Sequence, residues 1–349
     1  MNKIEILHKP SVAAVRQAFT RDAMMTFDSR TIDSAGAFFV GQLERLDPTL
    51  NLPLVDFQWS RDIDVRSDIG LGDELASFTL SSFASPGGLA PAGKAWIGKD
   101  VNAIQGIALD IGKIGQPLYA WGMTVSATIP ELVSAQQTGH DIISEKYDGL
   151  QLKLNMDTDE QVYIGDSVLG VTGLLNSASV SNNTNATTGA WMGGTTTPAQ
   201  ILADVNELLE SVWKASGFAR CPNRLLLPPM QYGYLTATII SIAGVSGGMS
   251  IIQFLEQNSI ALRVNGTPLQ ILPSKWLTGT TAGGVGPGAS GKDRMVAYTK
   301  DQKFVRFPKT DIVPGPMEYR SLAQYVPYWG RIGVVEVRYG ETIGYRDGI

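Results

Sequence analysis

The feature that most constrains this chain is a pair of strand-like runs separated by a segment too rich in small residues to be strand or helix. From Arg61, apolar Ile63, Val65 and Ile69 alternate with charged Asp62, Asp64, Arg66 and Asp68, the period-two pattern of a half-exposed strand. Residues 81–98 are crowded with Ser, Gly, Pro and Ala, and Ile107, Leu109 and Ile111 then resume the alternation toward Gly112 and Gly115. The reading is a long hairpin with a loose tip. A two-stranded ribbon buries little apolar surface of its own and is marginal in water, so it must lie on something else. The edge of an ordinary sheet fits the same alternation, and the pattern alone does not choose between them.

Composition points toward assembly. Charged residues make up 17% of the 349 residues, against roughly 25% in an ordinary soluble domain, so less of the surface is built to face water. The 38 glycines and 18 prolines favour β-rich or loop-rich structure over a helical bundle, and 44% hydrophobic content excludes a disordered chain. The length allows two or three domains, and at about 150 residues per domain it favours two. A net charge of −5 gives no global pull toward nucleic acid. The single cysteine, Cys221, excludes a disulfide scaffold and a four-cysteine zinc site, which suggests a reducing compartment. Met1 to Pro10 lacks the apolar run of a signal peptide, and no stretch reaches the roughly 18 apolar residues that span a bilayer, so the chain is expected to be soluble and unexported.

Residues 1–56 read as a partly helical arm, with Phe38, Phe39, Val40, Leu43 and Leu46, leading into a proline-punctuated extended segment. Tyr119, Trp121, Met123, Val125 and Ala127 alternate into Thr128-Ile129-Pro130-Glu131, a capping box with proline in the first turn. Ile143, Tyr147, Leu150 and Leu154 then keep helical spacing across residues 138–164, either as one spine of about 40 Å or as two helices broken at Gly149. Asp157, Asp159 and Glu160 lack the loop glycine and spacing of a calcium site and read as a solvated helix face. Thr197-Pro198-Ala199-Gln200 repeats the capping signature before a stripe of Ile201, Leu202, Val205, Leu208, Leu209, Val212 and Trp213, closed by Gly217. Beyond it come a strand at 224–227, a turn at Pro228-Pro229, an apolar run at 238–243, a helix at 250–257 and a strand at 261–272 with a turn at Asn265-Gly266. Residues 295–307 read as two strands about Lys300-Asp301, and Val335, Val337 and Tyr339 alternate with Glu336 and Arg338.

Several motifs look chemical. Residues 286–292 fit the G-x-x-x-x-G-K spacing of a phosphate loop, and 286–291 also spell G-x-G-x-x-G. Asp293 sits where magnesium-binding Ser or Thr is needed, and neither motif lies between a strand and a helix. Gly244-Val245-Ser246-Gly247-Gly248 matches a nucleophile elbow, but its base should be a histidine downstream, and both histidines, His8 and His140, lie upstream. Cys221 has no assigned partner to lower its pKa, and Lys300, Lys303, Arg306 and Lys309 read as a solvated face. No catalytic, cofactor-binding or metal residue is assigned, no cofactor is expected, and the chain is not expected to be an enzyme. The rival from that class is a serine hydrolase using Ser246. A monomeric carbohydrate-binding domain, motivated by seven tryptophans, is a further alternative.

Val162-Tyr163-Ile164-Gly165-Asp166, leading to Val171-Thr172-Gly173-Leu174-Leu175-Asn176, resembles the spine-helix end of the tailed-bacteriophage major capsid proteins. Glu318-Tyr319-Arg320-Ser321-Leu322-Ala323-Gln324 through Tyr345-Arg346-Asp347 is similar to a subgroup of them. The resemblance implies an α+β fold of the Hong Kong 97 type. Its parts would be an N-terminal arm (1–60), an extension loop formed by the β-hairpin (61–115), a peripheral domain with the spine helix (116–170), an axial domain (171–290), and C-terminal strands returning to the peripheral domain (291–349). It implies a major capsid protein that self-assembles as hexamers and pentamers into the icosahedral shell around the genome of a tailed bacteriophage or prophage. The chain would be made in the host cytoplasm and reside in the virion. Its partners would be itself and scaffolding, portal and decoration proteins, with double-stranded DNA enclosed without sequence-specific binding and no membrane. The chain departs from the family in lacking a proline before Gly173 and a long charged N-terminal extension, so a separate scaffold or a short arm would guide assembly. An encapsulin nanocompartment shell has the same fold and is the alternative within it.

Overall fold

The computed structural model describes residues 53, 55–84, 106–138, 141–187, 189–193, 196–240, 248–288 and 291–349. The chain divides into two units, Met1–Asp56 and Phe57–Ile349, and the helices and strands from residue 59 onward belong to the second. Its elements in chain order begin with α1 (Trp59–Asp62), β1 (Asp64–Arg66), β2 (Leu75–Ala84), β3 (Ala108–Pro117), β4 (Tyr119–Thr128), α2 (Ile129–Thr138) and α3 (Ile142–Tyr163). Next are β5 (Asn182–Asn185), α4 (Pro198–Ala215), β6 (Arg224–Leu227), α5 (Pro229–Ala237), β7 (Ile239–Ile240), β8 (Met249–Ser250), α6 (Ile251–Asn258), α7 (Ile260–Asn265) and β9 (Gln270–Pro273). The last strands are β10 (Arg294–Tyr298), β11 (Val305–Pro308), β12 (Val313–Pro314), β13 (Glu318–Arg320), β14 (Ala323–Ile332), β15 (Glu336–Val337) and β16 (Ile343–Asp347). The fold is α+β.

A five-stranded sheet ordered β5-β16-β10-β6-β9 separates two cores. Leu225 and Leu227 of β6, with Met295 and Ala297 of β10, face Ile201, Val205, Leu208, Leu209 and Val212 of α4. Leu226, Val296, Tyr298, Ile343 and Tyr345 point the other way, to Val162, Tyr163, Leu174, Leu175 and Phe307. Successive strand residues point to opposite faces, so a strand covered on both sides loses its alternation, and β10 and β16 are buried at every position. Helix α4 is held at its start by the expected reciprocal box: Thr197 Oγ1 accepts from Gln200 N, and Thr197 N donates to Gln200 Oε1.

Helix α3 is a single spine of 22 residues, about 33 Å at 1.5 Å per residue, and runs unbroken through Gly149. One exposed glycine costs a helix about 1 kcal/mol relative to alanine, less than the tertiary burial of Leu150 and Leu154 beside it restores. Asp141 caps its start by accepting from Ile143 N and Ser144 N. At its end Gly165 takes φ +81°, and residues 173–175 double back on the last turn, with Gly173 N donating to Ile164 O and Leu174 N to Val162 O. Asn176 seals the return, accepting from Gly173 N and donating to Ile164 O. A Cβ on Gly173 would lie 2.4 Å from the Tyr163 carbonyl, so this crossing requires glycine.

Strand β14 pairs along its whole length with β4, and β12 and β13 flank it. Strand β1 pairs parallel with β11, which pairs antiparallel with β15. The tail after residue 291 is thus shared: β14 returns to β4, while β10 and β16 complete the five-stranded sheet.

Three sequence expectations are corrected. The segment from Arg61 is not the first ribbon strand but the short helix α1 and strand β1, with Asp62 fully buried; the ribbon begins at Leu75. Residues 260–265 are helical: Ser259 accepts from Leu262 N as a cap, and Gly266 at φ +71° ends the helix, so Asn265-Gly266 is a helix terminus and not a hairpin turn. The strands about Lys300-Asp301 do not pair with each other but enter different sheets. Glu336, which alternates in sequence with apolar Val335 and Val337, is fully buried. Of the apolar run at 238–243, residues 241–243 lie outside the described residues.

Candidate assembly interface

The ribbon β2–β3 is in register from Leu75 opposite Pro117 to Ala84 opposite Ala108. Side chains at even positions share one face and those at odd positions the other. Near the root the even face is covered, with Ala76 and Phe78 buried. Along the odd face Phe83, Leu109 and Ile111 are 71%, 54% and 59% exposed, and Ile107 at the ribbon's outer end is 72% exposed. Every residue of β3 from Ala108 to Gly115 is exposed, so among the described residues nothing covers either face of the outer ribbon. Burying a side chain of this size contributes about 1.5–3 kcal/mol, so four side chains cluster here with unrealised burial. A second exposed apolar ledge joins Ile129 and Val133 of α2 to Tyr319 of β13 and Leu322 of the β13–β14 turn, where Ile129 N donates to Leu322 O at 2.8 Å. Sequence reasoning missed this ledge, since the capping box at Thr128 marks a helix start but not what its apolar residues face.

Arginines fasten the ribbon's root. Arg66 Nη1 donates to Ser77 O at 3.1 Å and to Glu336 Oε1 at 2.8 Å, while its Nε and Nη2 hold Asp68. The guanidinium holds the Asp68 carboxyl below the usual carboxylate range. Glu336 also accepts from Arg306 Nε at 2.5 Å. Arg331 donates to Leu71 O and Leu118 O, where the two ribbon strands meet the body, and Leu118 N donates to Glu74 O. Phe78 lies under the Arg338 guanidinium at 5.6 Å.

The carboxylates read as a solvated helix face are partly internal. Asp159, 1% exposed, accepts from Gln58 N and Trp59 N at 2.9 and 3.0 Å, capping α1, and from Trp276 Nε1 at 2.6 Å. Asp157 accepts from Trp121 Nε1 at 3.0 Å. Asp62 accepts a fork from Arg61 and a short hydrogen bond from the Tyr163 hydroxyl, and its main-chain oxygen accepts from Tyr298. Burial, reinforced by the Asp62 charge, pushes the Tyr163 and Tyr298 hydroxyls far above the ordinary tyrosine range. These groups join α1, α3 and β10.

The basic cluster does not form a solvated face either. Lys300 Nζ donates to Arg61 O, Arg306 pairs with Glu336, and Lys309 lies over the Trp59 ring at 4.6 Å, with its ammonium pKa pushed down by burial; only Lys303 of the four is exposed. Asp293, in the phosphate-loop-like stretch, accepts from Gly279 N at 2.7 Å and from Gln231 Nε2 through a short bond, so it ties a loop down. Cys221 is buried, and desolvation pushes its thiol up to about 11. Ser246, His8 and His140 lie outside the described residues. Among the described residues no group of His, Cys, Asp and Glu is arranged to hold a metal ion, and no helix is long and apolar enough to cross a membrane.

The geometry therefore favours surface over pocket: a ribbon with uncovered apolar residues, a second apolar ledge, and charges spent on internal joints. Comparison with known proteins agrees. No curated protein matches the chain. Among solved structures it is similar to the capsid of Myoviridae phage XM1, with a TM-score of 0.68 at 15% identity over 88% of this chain and 98% of that one. It is similar to the capsid of the native GTA particle, with a TM-score of 0.59 at 13% identity over 92% and 99%. The holo-SrpI encapsulin complex from Synechococcus elongatus is similar at 0.52 and 15% over 89% and 95%. At such identities the likeness establishes the fold, the Hong Kong 97-like fold common to phage capsids and encapsulins. The family described as major capsid protein matches residues 93–349, and with that span inside its bounds, this chain belongs to the major capsid protein family.

Proposed function

We propose that copies of this chain associate as hexamers and pentamers into a closed icosahedral shell that encloses the genome of a tailed bacteriophage or prophage. The observation that carries the reading is the outer ribbon, whose β3 residues from Ala108 to Gly115 are all exposed while four large apolar side chains stand on it or at its end. Such a ribbon is marginal alone and gains its missing face from a neighbour. Each copy then spreads over others, and many modest interfaces close a shell of collective stability. In this arrangement the β2–β3 ribbon is the extension loop, the β4–β14 pair with α3 is the peripheral domain, and the five-stranded sheet with α4 to α7 is the axial domain. Scaffolding, portal and decoration proteins are the expected partners. A net charge of −5 contains DNA without gripping it, since strong attraction to phosphates would oppose packaging and release.

Negative-stain imaging of the chain expressed alone tests this. Closed particles of uniform diameter are expected, and a sharp monomer peak in light scattering at every concentration contradicts the reading. Particles from the native source that hold DNA support a virion shell; particles that hold a cargo enzyme instead point to an encapsulin-type compartment.

A further inference from the structure

The ribbon meets the body through two kinds of attachment. At its base, Arg331 holds Leu71 O and Leu118 O, and Leu118 N bonds Glu74 O. These contacts cluster at one end of the ribbon and form a hinge, which fixes position but not direction. Ser77 lies three residues further along β2, about 10 Å at 3.3 Å per residue, and its carbonyl is the point that Arg66 grips. A third anchor set off from the hinge fixes the angle. Phe78 beside it is buried with its ring under the Arg338 guanidinium at 5.6 Å, a cation–π attraction weaker than the charge-assisted hydrogen bonds that Arg66 makes.

We propose that Arg66 is the pin that sets the angle between the β2–β3 ribbon and the body of the subunit, by bridging Ser77 O to the buried carboxylate of Glu336. The arrangement suits a pin that can be released. Glu336 is 0% exposed and holds two guanidiniums, so when Arg66 lets go the carboxylate stays paired with Arg306 and the body remains intact. The other grip of Arg66, on Asp68, is to a carboxylate 64% exposed and open to screening by salt. Arginine is suited to the task because its planar fork reaches all three acceptors at once, which an ammonium cannot match. The inference rests on the shell reading only for its consequence: a ribbon held at one angle lets each copy meet its neighbours with one curvature.

The test uses spin-label pairs in the full chain, with Ser82→Cys on the ribbon and Asp148→Cys on α3, and a body-only pair of Asp148→Cys with Glu210→Cys on α4. Native Cys221 is buried and stays unlabelled. Double electron–electron resonance is recorded on the smallest species that size exclusion isolates, diluted with unlabelled chain. One narrow ribbon-to-body distance is expected with Arg66 present. Arg66→Gln broadens it at least about twofold, Arg66→Lys gives an intermediate width, and the body-only pair does not change. An unchanged ribbon distance in Arg66→Gln overturns the proposal, and so does equal broadening of the body-only pair, which makes Arg66 a general stabiliser. Shell imaging of the same variants is read separately. Particles of mixed diameter tie the pin to curvature, whereas absence of shells from the parent chain counts against the shell reading and leaves the distance result standing.

Discussion

Replacing Phe83 and Ile111 together by aspartate abolishes shell formation while leaving the subunit folded. Both side chains stand on the odd face of the ribbon, diagonal to each other across the β2–β3 register, and both are more than half exposed. In the isolated subunit the change is nearly neutral, because surface substitutions away from a core stay within about 0.5 kcal/mol. At a neighbour's surface each substitution forfeits about 1.5–3 kcal/mol of burial and adds a carboxylate that must be desolvated without a partner. The loss recurs at every copy in the shell, so a modest defect at one interface becomes a collective failure. Light scattering and size exclusion should show particle yield reduced at least about a hundredfold, with the thermal midpoint of the unassembled subunit unchanged within a few degrees.

The largest effect on the subunit itself is expected at Asp347→Ala. Arg294 and Asp347 face each other on β10 and β16 in a fork of 2.5 and 2.9 Å, with side chains only 6% and 1% exposed. Removing the carboxylate leaves the guanidinium buried with Leu175 O and the Tyr345 ring, neither of which carries a compensating charge. Breaking such a pair by deleting one partner costs about 3–5 kcal/mol. Urea unfolding of the unassembled subunit reads this as a lower midpoint at unchanged slope. Replacing both residues, Arg294→Met with Asp347→Leu, should recover most of the loss, since apolar pairs of similar volume often equal a buried ion pair.

What the sequence disclosed and what it concealed divide along the range of the interactions involved. The capping boxes at Thr128 and Thr197, the α4 stripe and the alternation of β4 are set by neighbours within a few residues, and each is legible in a short window. The turn through residues 162–176 could be matched as a motif, though the physical need for Gly173 emerged only from the close approach of the Tyr163 carbonyl. Hidden from the sequence were the buried carboxylates. Asp159 caps a helix 101 residues upstream, so local charge patterning assigned it to solvent, and Glu336 meets Arg66 across 270 residues, a separation that no short window spans. Strands β10 and β16 hid their periodicity by being covered on both faces. The ribbon was foreseen as a ribbon, but its start was misplaced, because the alternation from Arg61 belongs to a turn of helix and a three-residue strand. The two apolar surfaces offered for assembly differ in the same way. The ribbon's showed itself by alternation, whereas the α2 ledge depends on a turn brought in from residue 322.

The central claim is that the ribbon completes its structure on a neighbouring copy. Hydrogen exchange measured by mass spectrometry over residues 75–84 and 108–117 compares the dispersed subunit with the closed particle. The account predicts that the outer rungs, around Phe83 and Leu109, exchange within seconds when dispersed and become protected at least about a hundredfold on assembly, while β10 and β16 are slow in both states. Equal, strong protection of those rungs in the dispersed subunit would mean that the ribbon is already satisfied by its own chain, and would contradict the account.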